Sequence, residues 1–390
     1  MALNFENLWG QLRDWRRDLH QHPEFGFEES RTSAFVATKL REFGLDEVAK
    51  GIGGTGVVGT LRRGSGNRTI LLRADMDALR ITETPTEERP HQSRHPGLMH
   101  ACGHDGHTTM LLGAAKILAA EGGFDGAVRF LFQPAEEWGL GMQAMLDDGL
   151  LTRFPADEAY ALHNAPGLPV GHFETRPGPF KSAEDNFVIT LRGRGVHAAR
   201  PHQGRDALLA ASATVLALQA VVSRVLDPGE TAVLSCTELL TNGTRNVIAG
   251  EARILGDCRS FRPEVSTKIE HEMRVIARGV AEAYGCEIEV TYTREFVPTI
   301  NDAALTAAAA EVARTCFGEV AVQDTAAPGT GSEDFARLLH HIPGCYANIG
   351  NGDSAPLHNP AYDFNDDVIP HGVRYFVELI RQRLPLARVS

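Results

Sequence analysis

Short apolar runs alternate with helical patterns in the first half of this 390-residue chain, and this alternation constrains the fold more than any other feature. The apolar runs cover 69–73, 127–133 and 158–162, and the helical patterns cover 108–120 and 141–149. Strands that alternate with helices form a largely parallel sheet whose two faces are both covered. We therefore predict an α/β fold with a doubly wound, mostly parallel sheet.

Polar residues stand at the end of each predicted strand. Asp75 and Asp77 follow the first strand, Glu136 and Glu137 follow the second, and His163 follows the third. Ligands of such sheets bind beyond the carboxyl ends of the strands. We therefore expect these side chains to face one common site.

The stretch from Met99 to His107 offers three imidazoles, a thiol and a carboxylate. An apolar run follows it, and Asp105 suits the N-cap of a helix that begins there. Cys102 and His104 would then lie in the turn that enters the helix, where both side chains can bind one ion. A single pair of this kind is more often a buried cysteine beside core histidines, but the acids at the strand ends favour a metal site. Thiolate and imidazole together suit zinc and similar metals better than calcium or magnesium.

Glu136 and Glu137 are adjacent carboxylates just beyond a predicted strand. Adjacent side chains on extended backbone point in opposite directions, so we expect one carboxylate to bind metal and the other to face a water held by the metal. Such a water has a pKa of about 7, and a neighbouring carboxylate can accept its proton. An isolated pair of glutamates is more often a solvated loop, but Phe-Leu-Phe before this pair and Trp138 after it indicate burial.

The composition fits a soluble globular protein of two or three domains, with 43% hydrophobic and 23% charged residues. A formal net charge of −12 argues against nucleic acid or a membrane surface as a partner. Charged residues within 1–17 argue against a signal peptide, and the apolar run 207–222 is interrupted by polar residues and too short to span a bilayer. Six cysteines without a pairing pattern predict reduced thiols and a cytoplasmic location.

The pattern changes near Ala183. The segment that follows predicts the order β-α-β-β-α-β, at 186–192, 206–224, 231–240, 251–260, 264–284 and 287–293. This is the order of a ferredoxin-like module, and the helix–strand alternation resumes after Pro298. We therefore predict a catalytic, metal-binding domain formed by 1–182 and 294–390, with an inserted α+β domain formed by 183–293.

The stretch Gly51–Gly56 matches a dinucleotide-binding fingerprint. That fingerprint requires a helix directly after the glycines, whereas here a strand pattern and the turn 64–67 follow. We therefore predict a hairpin, and a nucleotide-dependent oxidoreductase becomes a minor alternative.

Six motifs in one order extend over nearly the whole chain. They are His20-Gln-His-Pro-Glu24, Arg73-Ala-Asp-Met-Asp77, His100-Ala-Cys-Gly-His-Asp-Gly-His107, Gln133-Pro-Ala-Glu-Glu137, His163-Asn164 and Gly331-Ser-Glu-Asp-Phe335. Together they resemble the metal-dependent amidohydrolases that include bacterial aminoacylases, hippurate hydrolase and plant auxin-conjugate hydrolases, a branch of the carboxypeptidase G-like metallopeptidases.

The resemblance implies a site that holds two divalent metal ions. The positions that match its ligands are Cys102, His104, Glu137, His163 and His358. Glu136 matches its general base, and Asp77 is placed directly behind the ligands. The wider superfamily has a liganding histidine where this chain has Asp75. Zn or Mn would be the expected metal, and Co or Ni also accept such ligands.

The inserted domain resembles the dimerisation or lid domain of that family. His197, Asn246 and Arg259 match positions that contact the substrate carboxylate or the oxyanion, and Gly331 is a further candidate for substrate binding. Without the resemblance, His197 would be interpreted as a turn residue and Arg259 as a surface cation. With it, we predict a homodimer or a dimer of dimers, in which His197 reaches the site of the neighbouring subunit.

The function that the resemblance implies is hydrolysis of an N-acyl amino acid, for example an N-acetyl or N-benzoyl compound, to a carboxylate and a free amino acid. A dipeptidase or carbamoylase of the same fold is the alternative within hydrolases. A metal-dependent binding protein without catalytic activity is an alternative of another class. The predicted partners are this small-molecule substrate and a second copy of the chain.

Overall fold

The computed structural model describes residues 5–87 and 89–386. Its α-helices are α1 Phe5–Gln21, α2 Ser30–Glu42, α3 His104–Glu121, α4 Gly141–Asp147, α5 Leu150–Arg153, α6 Ala207–Ala220, α7 Pro263–Tyr284, α8 Ala303–Phe317, α9 Phe335–Leu339 and α10 Val368–Arg383. Its strands are β1 Glu47–Ile52, β2 Gly56–Arg63, β3 Thr69–Asp75, β4 Gly126–Gln133, β5 Glu158–Pro166, β6 Phe173–Glu174, β7 Gly178–Lys181, β8 Ala183–Arg192, β9 Val196–His197, β10 Ala232–Thr241, β11 Val247–Ile248, β12 Glu251–Ser260, β13 Glu287–Phe296, β14 Thr299–Asn301, β15 Val322–Gln323 and β16 Gly344–Gly352.

The chain forms two compact units. Unit 1 comprises the described parts of 1–180, 300–327 and 334–390, and unit 2 comprises 181–299 and 328–333. Unit 2 thus extends slightly beyond the predicted insertion of 183–293 at both ends, and it also includes a segment from later in the chain. That segment is held by Ser182, whose backbone amide donates to the Gly329 oxygen at 3.2 Å and whose hydroxyl donates to the Thr330 oxygen at 2.7 Å.

Within the described residues, unit 1 contains an eight-stranded sheet in the order β1-β2-β4-β3-β5-β16-β6-β15. The central pairs β4–β3, β3–β5 and β5–β16 are parallel, whereas β1–β2 and β2–β4 are antiparallel. The predicted mostly parallel sheet is therefore confirmed. A strand does follow Gly56, but the predicted hairpin at the turn 64–67 was wrong, because β2 pairs with β1 and β4 and not with β3. The two strands that follow β3 along the chain lie on opposite sides of it, which creates a crevice beyond the carboxyl ends of these strands.

Strand β3 shows why the sheet is covered on both faces. All of its residues are buried. Ile70 and Leu72 pack in a core with residues of α1, α3 and α10, whereas Leu71 packs in a second core with residues of α4, α5 and α9. Alternate side chains of a strand point to opposite faces, so a continuous apolar run is what two covered faces require.

Helix α3 begins at His104, four residues before the start that the apolar run predicts. Gly103 is its N-cap, with a φ of 95° in the left-handed region that glycine tolerates. A Cβ at Gly103 would clash with the side chain of Asn164. The prediction that Asp105 is the N-cap is therefore wrong. Asp105 lies in the first turn of the helix, and its carboxylate contacts the Nδ1 atom of His20 at 2.8 Å.

Unit 2 contains, over its described residues, a four-stranded sheet in the order β10-β12-β8-β13 in which each neighbouring pair is antiparallel. Residues of α6 and α7 share one core with the buried side chains of β8 and β12. Apart from the short strands β9 and β11, the four strands of this sheet and the two helices come in the order β8, α6, β10, β12, α7 and β13. The predicted β-α-β-β-α-β order of this part of the chain is therefore confirmed.

Helix α6 and the π-helical turn after it span Ala207–Val225, a segment long and apolar enough to cross a membrane by length and composition alone. The expectation that this run is too short for a span was therefore wrong on length. Ala210 and Leu218 pack in the core of unit 2, whereas Leu209 and Leu216 are 53% and 75% exposed. The helix thus has one packed face and one exposed apolar face.

Candidate metal centre

The predicted metal ligands lie on segments of unit 1 that meet at the carboxyl ends of its central strands. Cys102 directly precedes the N-cap of α3, and His104 is the first residue of that helix. Glu137 follows β4 and His358 follows β16. His163 lies inside β5, because this strand continues further than its apolar run predicts.

His358 differs from the other four residues because its side chain is 54% exposed. Its loop is nevertheless tied to the turn that carries Cys102, since the His358 backbone amide donates to the oxygen of Ala101 at 2.8 Å. The residue also has a φ of 62°, a left-handed conformation that is uncommon outside glycine. This hydrogen bond and the backbone conformation of His358 therefore hold the loop after β16 close to the turn that carries Cys102.

The donor atoms of the five residues converge in overlapping groups. Cys102, His104 and His163 form one group, and Cys102, Glu137 and His358 form another, with the donor atoms of each group within 4.8 Å of one another. The Sγ atom of Cys102 lies 3.4 Å from Nε2 of His163. The Nε2 atom of His358 lies 3.3 Å from Oε2 of Glu137. The structure thus brings all five predicted ligands together, in two groups that share Cys102.

The chemistry of these groups fits a cation. Across 5–87 and 89–386, the Nε2 atom of His104 and the Oε1 atom of Glu137 are buried without a hydrogen-bond partner, and such an atom costs stability. Burial and the nearby Glu137 and Glu136 carboxylates raise the pKa of the Cys102 thiol well above its usual range. A divalent cation would satisfy both unpaired atoms and favour the thiolate. Sulfur, nitrogen and oxygen donors together suit a transition metal or zinc.

Two of the histidines are oriented by partners behind them. The Nδ1 atom of His104 lies 3.1 Å from Oδ1 of Asp77, and Nδ1 of His163 lies 2.7 Å from the backbone oxygen of Asn164. Because Nδ1 donates in both contacts, Nε2 of each ring is left to bind a metal. Burial opposes protonation of His104, but Asp75 and Asp77 outweigh burial and raise its pKa to about 10. A bound cation would neutralise this excess of negative charge.

Asp75, which stands where the wider superfamily has a liganding histidine, has other partners in this structure. Its Oδ1 atom lies 2.6 Å from Nδ1 of His107, and its Oδ2 atom accepts a hydrogen bond from Nη1 of Arg73 at 2.7 Å. Burial opposes ionisation of Asp75, but His104, His107 and Arg73 hold its pKa well below the usual range. Both oxygens of this carboxylate are thus engaged, one by His107 and the other by Arg73.

The two glutamates do not lie on extended backbone, so that prediction was wrong. Ala135 adopts a left-handed conformation, with φ 47° and ψ 45°, and starts the 3-10 turn Glu136–Trp138. Consecutive residues of such a turn are about 120° apart, which brings neighbouring side chains closer than on a strand. Oε2 of Glu136 and Oε1 of Glu137 both lie 3.9 Å from Nε2 of His104. Both carboxylates therefore face the same imidazole.

The sequence profile of peptidase family M20/M25/M40 matches residues 71–382, which is most of the chain. The chain belongs to peptidase family M20/M25/M40. This result confirms the resemblance to metal-dependent amidohydrolases that the six motifs indicate.

Similar proteins match over nearly their whole lengths. A hippurate hydrolase of Campylobacter jejuni is 38% identical, over 96% of this chain and 96% of its own. An N-acetyl-L-cysteine deacetylase of Bacillus subtilis is 36% identical, over 98% of this chain and 90% of its own. A crystal structure of the YxeP protein of Bacillus subtilis, described as a dinuclear metal-binding peptidase of the M20 family, is 31% identical with a TM-score of 0.85, over 98% of this chain and 100% of its own.

The predicted substrate-binding residues of this M20-family chain lie in unit 2. His197 is in β9, which pairs with β11, and the Ala198 amide donates to the backbone oxygen of Asn246 at 2.9 Å. His197 and Asn246 are therefore neighbours, and both are exposed. The structure thus brings these two residues together, and their contacts with substrate stay a prediction.

Arg259 lies on β12 and is held by acidic side chains. Its guanidinium contacts the carboxylate of Glu184 at 2.7 Å and that of Asp257 at 2.8 Å. It also donates to the hydroxyl of Ser332 at 2.7 Å, next to the exposed Gly331. Arg259 is thus not the free surface cation of the alternative interpretation, and it contacts the segment that carries Gly331.

A buried charge network in unit 1 was not predicted. His20 is fully buried, with Nδ1 2.8 Å from Asp105 and Nε2 3.2 Å from Glu83. Arg16, also buried, lies 3.6 Å from Asp105. Burial opposes protonation of His20, but its hydrogen bonds to Asp105 and Glu83 raise its pKa to about 9. Both His20 and Asp105 belong to the six sequence motifs, although neither matches a metal ligand. Their presence in those motifs was the signal from which a structural role could have been predicted.

Asp334, in the last motif, was another missed residue. Its Oδ1 atom accepts hydrogen bonds from Arg73 at 3.3 Å and from Gln133 at 2.6 Å, and its Oδ2 atom accepts one from the Met142 amide at 2.9 Å. One buried carboxylate thus links the ends of β3 and β4 to α4. This linkage holds the strand ends from which Asp75 and Glu136 extend.

Proposed function

We propose that this M20-family protein is a two-metal amidohydrolase that cleaves the amide bond of N-acyl amino acids to a carboxylate and a free amino acid. The observation that carries the proposal is the convergence of Cys102, His104, Glu137, His163 and His358 in unit 1 with Glu136 beside them. Hippurate and N-acetyl-L-cysteine, which give two similar proteins their names, are both N-acyl amino acids. The proposed chemistry therefore agrees with the donor set and with the names of these relatives.

The proposed ligands would neutralise about half of the positive charge of two divalent ions. The thiolate of Cys102 and the carboxylate of Glu137 contribute two negative charges, whereas His104, His163 and His358 bind as neutral imidazoles. Two divalent ions would leave about two positive charges at the site. The chemistry that such ions supply when bound is polarisation of the amide carbonyl and a lower pKa of a water molecule.

Glu136 is the proposed general base. Its side chain is buried and lies 3.9 Å from His104, next to the ligand Glu137. Its carboxylate accepts a proton from the water whose oxygen forms the new bond to the carbonyl carbon. It then donates that proton to the nitrogen as the carbon–nitrogen bond breaks, which releases the amine neutral. The same residue thus acts first as base and then as acid.

The residues of unit 2 are proposed to recognise the substrate. Asn246 and Arg259 bind its free carboxylate, because a guanidinium pairs with a carboxylate in a specific geometry. His197 stabilises the oxyanion, and Gly331 lies beside the Arg259 contact at Ser332. These roles rest on the resemblance to the amidohydrolases and on the contacts within unit 2.

We further propose a homodimer, or a dimer of dimers, in which His197 completes the site of the neighbouring subunit. The support comes from apolar residues that unit 2 leaves exposed on α6 and on β10, which is an edge strand of the four-stranded sheet. They are Leu208, Leu209, Leu216, Leu239 and Leu240. Exposed apolar patches and open strand edges are typical of association surfaces.

Zn or Mn is the proposed metal, with Co and Ni as the next candidates, because the donor set mixes thiolate, imidazole and carboxylate. The proposed location is the cytoplasm, which keeps thiols reduced, and all six cysteines are free thiols. We propose small-molecule substrates alone, with neither nucleic acid nor membrane as a partner, since the formal net charge is −12.

A substrate panel tests this function. Chelated protein is reloaded with Zn, Mn, Co or Ni and assayed on N-acetyl and N-benzoyl amino acids, their methyl esters, dipeptides and N-carbamoyl amino acids. We expect metal-dependent release of free amino acid from the N-acyl acids, with the methyl esters clearly poorer. A preference for dipeptides or N-carbamoyl amino acids would show that these compounds, and not N-acyl amino acids, are the substrate class. Tight product binding without turnover of any compound would contradict catalysis.

A further inference from the structure

Glu29 is a buried carboxylate whose hydrogen bonds lie outside the proposed ligand set. We propose that Glu29 is a positioning residue that holds the left-handed turn at Ala135 and thereby places the carboxylate of Glu136. This inference rests on the proposed role of Glu136 as the base. The inference is based on two hydrogen bonds of the Glu29 side chain, on the left-handed backbone of Ala135 and on the contacts at the start of α2.

Glu29 is the N-cap residue of α2, yet its side chain makes no capping hydrogen bond. The carboxylate of Glu24 accepts from the amides of Arg31 and Thr32 instead, at 2.9 and 2.8 Å. Short polar side chains are the usual N-caps. Because Glu24 accepts the hydrogen bonds that cap α2, the side chain of Glu29 can bind a different partner. The carboxylate of Glu29 therefore serves something other than its own helix.

That carboxylate reaches the turn after β4. Oε1 of Glu29 accepts a hydrogen bond from the Ala135 amide at 2.8 Å, and Oε2 accepts one from the hydroxyl of Thr55 at 2.5 Å. The side chain is fully buried, and burial together with the nearby Asp77 raises its pKa to about 7, although the hydrogen bond from Thr55 opposes the shift. Burying a carboxyl group is costly, so its presence is best explained by the backbone that it holds.

The backbone at Ala135 needs support. Its φ of 47° lies in the left-handed region, which disfavours any residue with a Cβ. The adjacent Gly26 leaves the space that the Ala135 methyl group occupies, because a Cβ placed on Gly26 would lie only 3.0 Å from that methyl group. The backbone oxygen of Ala135 accepts a hydrogen bond from Gly141 at 3.1 Å. Glu29 supplies the matching contact on the amide side of the same residue.

The two amides that flank Glu136 are both anchored by buried carboxylates. The amide of Ala135 donates to Glu29 at 2.8 Å, and the amide of Glu137 donates to Asp77 at 3.1 Å. Asp77 also contacts His104, so its loss disturbs a proposed metal ligand as well. Glu29 contacts Ala135 and Thr55 instead, so its loss is expected to move Glu136 and leave the ions in place.

The test compares Glu29→Ala with Glu24→Ala as a matched control, because each variant removes an acid that accepts two hydrogen bonds near the start of α2 but only the first releases Ala135. We expect Glu29→Ala to bind both metal ions and to keep KM within a few-fold, while kcat falls by about 100-fold, as expected when a catalytic group is displaced by about 1 Å. Glu24→Ala should lower Tm by a similar amount and keep kcat near wild type. An equal fall of kcat in both variants would overturn the proposal.

Two further variants test the turn itself. Glycine adopts positive φ without cost, so Ala135→Gly added to Glu29→Ala should restore kcat at least about tenfold, because the turn no longer needs the brace. Glu29→Gln should retain most of kcat, since its amide oxygen accepts from Ala135 and its amide nitrogen donates to Thr55. Absence of rescue by Ala135→Gly would overturn the positioning role.

If Glu29→Ala does not give folded protein, Thr55→Val carries the same test, because it removes the hydroxyl that fixes Oε2 of Glu29. Its kcat should fall several-fold with metal retained and recover with Ala135→Gly, and an unchanged kcat would contradict the proposal. Glu136→Gln, assayed in parallel, separates the two levels of inference. An active Glu136→Gln would defeat the proposed base, whereas an inactive Glu136→Gln beside a fully active Glu29→Ala would defeat only the positioning role.

Discussion

The carboxylate of Asp77 holds the imidazole of His104 with one oxygen and the backbone of Glu137 with the other, each at 3.1 Å. His104 and Glu137 come from different segments of unit 1, and both are proposed metal ligands. A single buried acid therefore sets the orientation of one ligand side chain and the position of another ligand's main chain. From this place directly behind the site, Asp77 can orient both ligands without binding metal itself.

Asp77→Asn should weaken metal binding by about 10- to 100-fold, because an amide holds the imidazole less firmly than a carboxylate does. Competition with a chromogenic chelator measures the affinity. Asp302→Asn is the control, since Asp302 caps α8 in the same unit by accepting from the Leu305 amide at 2.9 Å. An equal loss of metal affinity in both variants would show that Asp77 has no special role.

Glu136 and Glu137 should behave differently although they are neighbours. Glu136→Gln is expected to keep both ions and to lose several orders of magnitude in kcat, because a base is removed while the ligands remain. Glu137→Gln is expected to lose metal, because a charged ligand is removed. Metal analysis of both variants, combined with steady-state kinetics, checks the assignment. Equal metal content in the two proteins would show that the roles are wrongly divided.

His20 should make the stability of the protein depend on pH in the alkaline range. Its pKa is raised from 6.5 to about 9, so its contribution is complete below pH 6.5 and is lost as pH rises through 9. The contribution is on the order of 3 kcal/mol. Urea unfolding of chelated protein between about pH 6 and about pH 10 should show a steeper loss for wild type than for His20→Gln. His22→Gln is the control, and parallel curves for wild type and His20→Gln would refute the prediction.

His197 is predicted to act across the dimer. A hybrid of one Glu136→Ala chain and one His197→Ala chain would contain one site with both defects and one site with both residues intact. With random assortment, the mixture should regain roughly a quarter of wild-type activity. Refolding the two variants together and assaying the product measures the recovery. No recovery in verified hybrid dimers would place His197 in the site of its own chain.

Much of the fold follows from local patterns in the sequence. The strands β3 and β4 are fully buried and mostly apolar, and each ends in a polar residue. Both ends lie where parallel strands bring ligands together. This is why Asp75, Asp77 and the two glutamates were placed correctly at the sheet edge. The order of elements in unit 2 followed from the same kind of pattern.

What the sequence did not reveal depends on contacts between distant segments. The left-handed conformation of Ala135 is stabilised by Glu29, far earlier in the chain, and propensity assigns no such conformation to alanine. The same holds for Asp105, where Gly103 takes the N-cap position and the acid pairs with His20. In both cases a buried side chain from α1 or the start of α2 decides the local structure.

The metal content of the active protein tests the central claim most directly. Chelated protein is titrated with Zn or Mn while bound metal is measured by elemental analysis and hydrolysis of an N-acyl amino acid is followed in the same samples. Activity should rise to its maximum as the content reaches two ions per chain, because Cys102, His104, Glu137, His163 and His358 form two groups of donors that share Cys102. Maximal activity at one ion per chain or fewer would contradict the two-metal account.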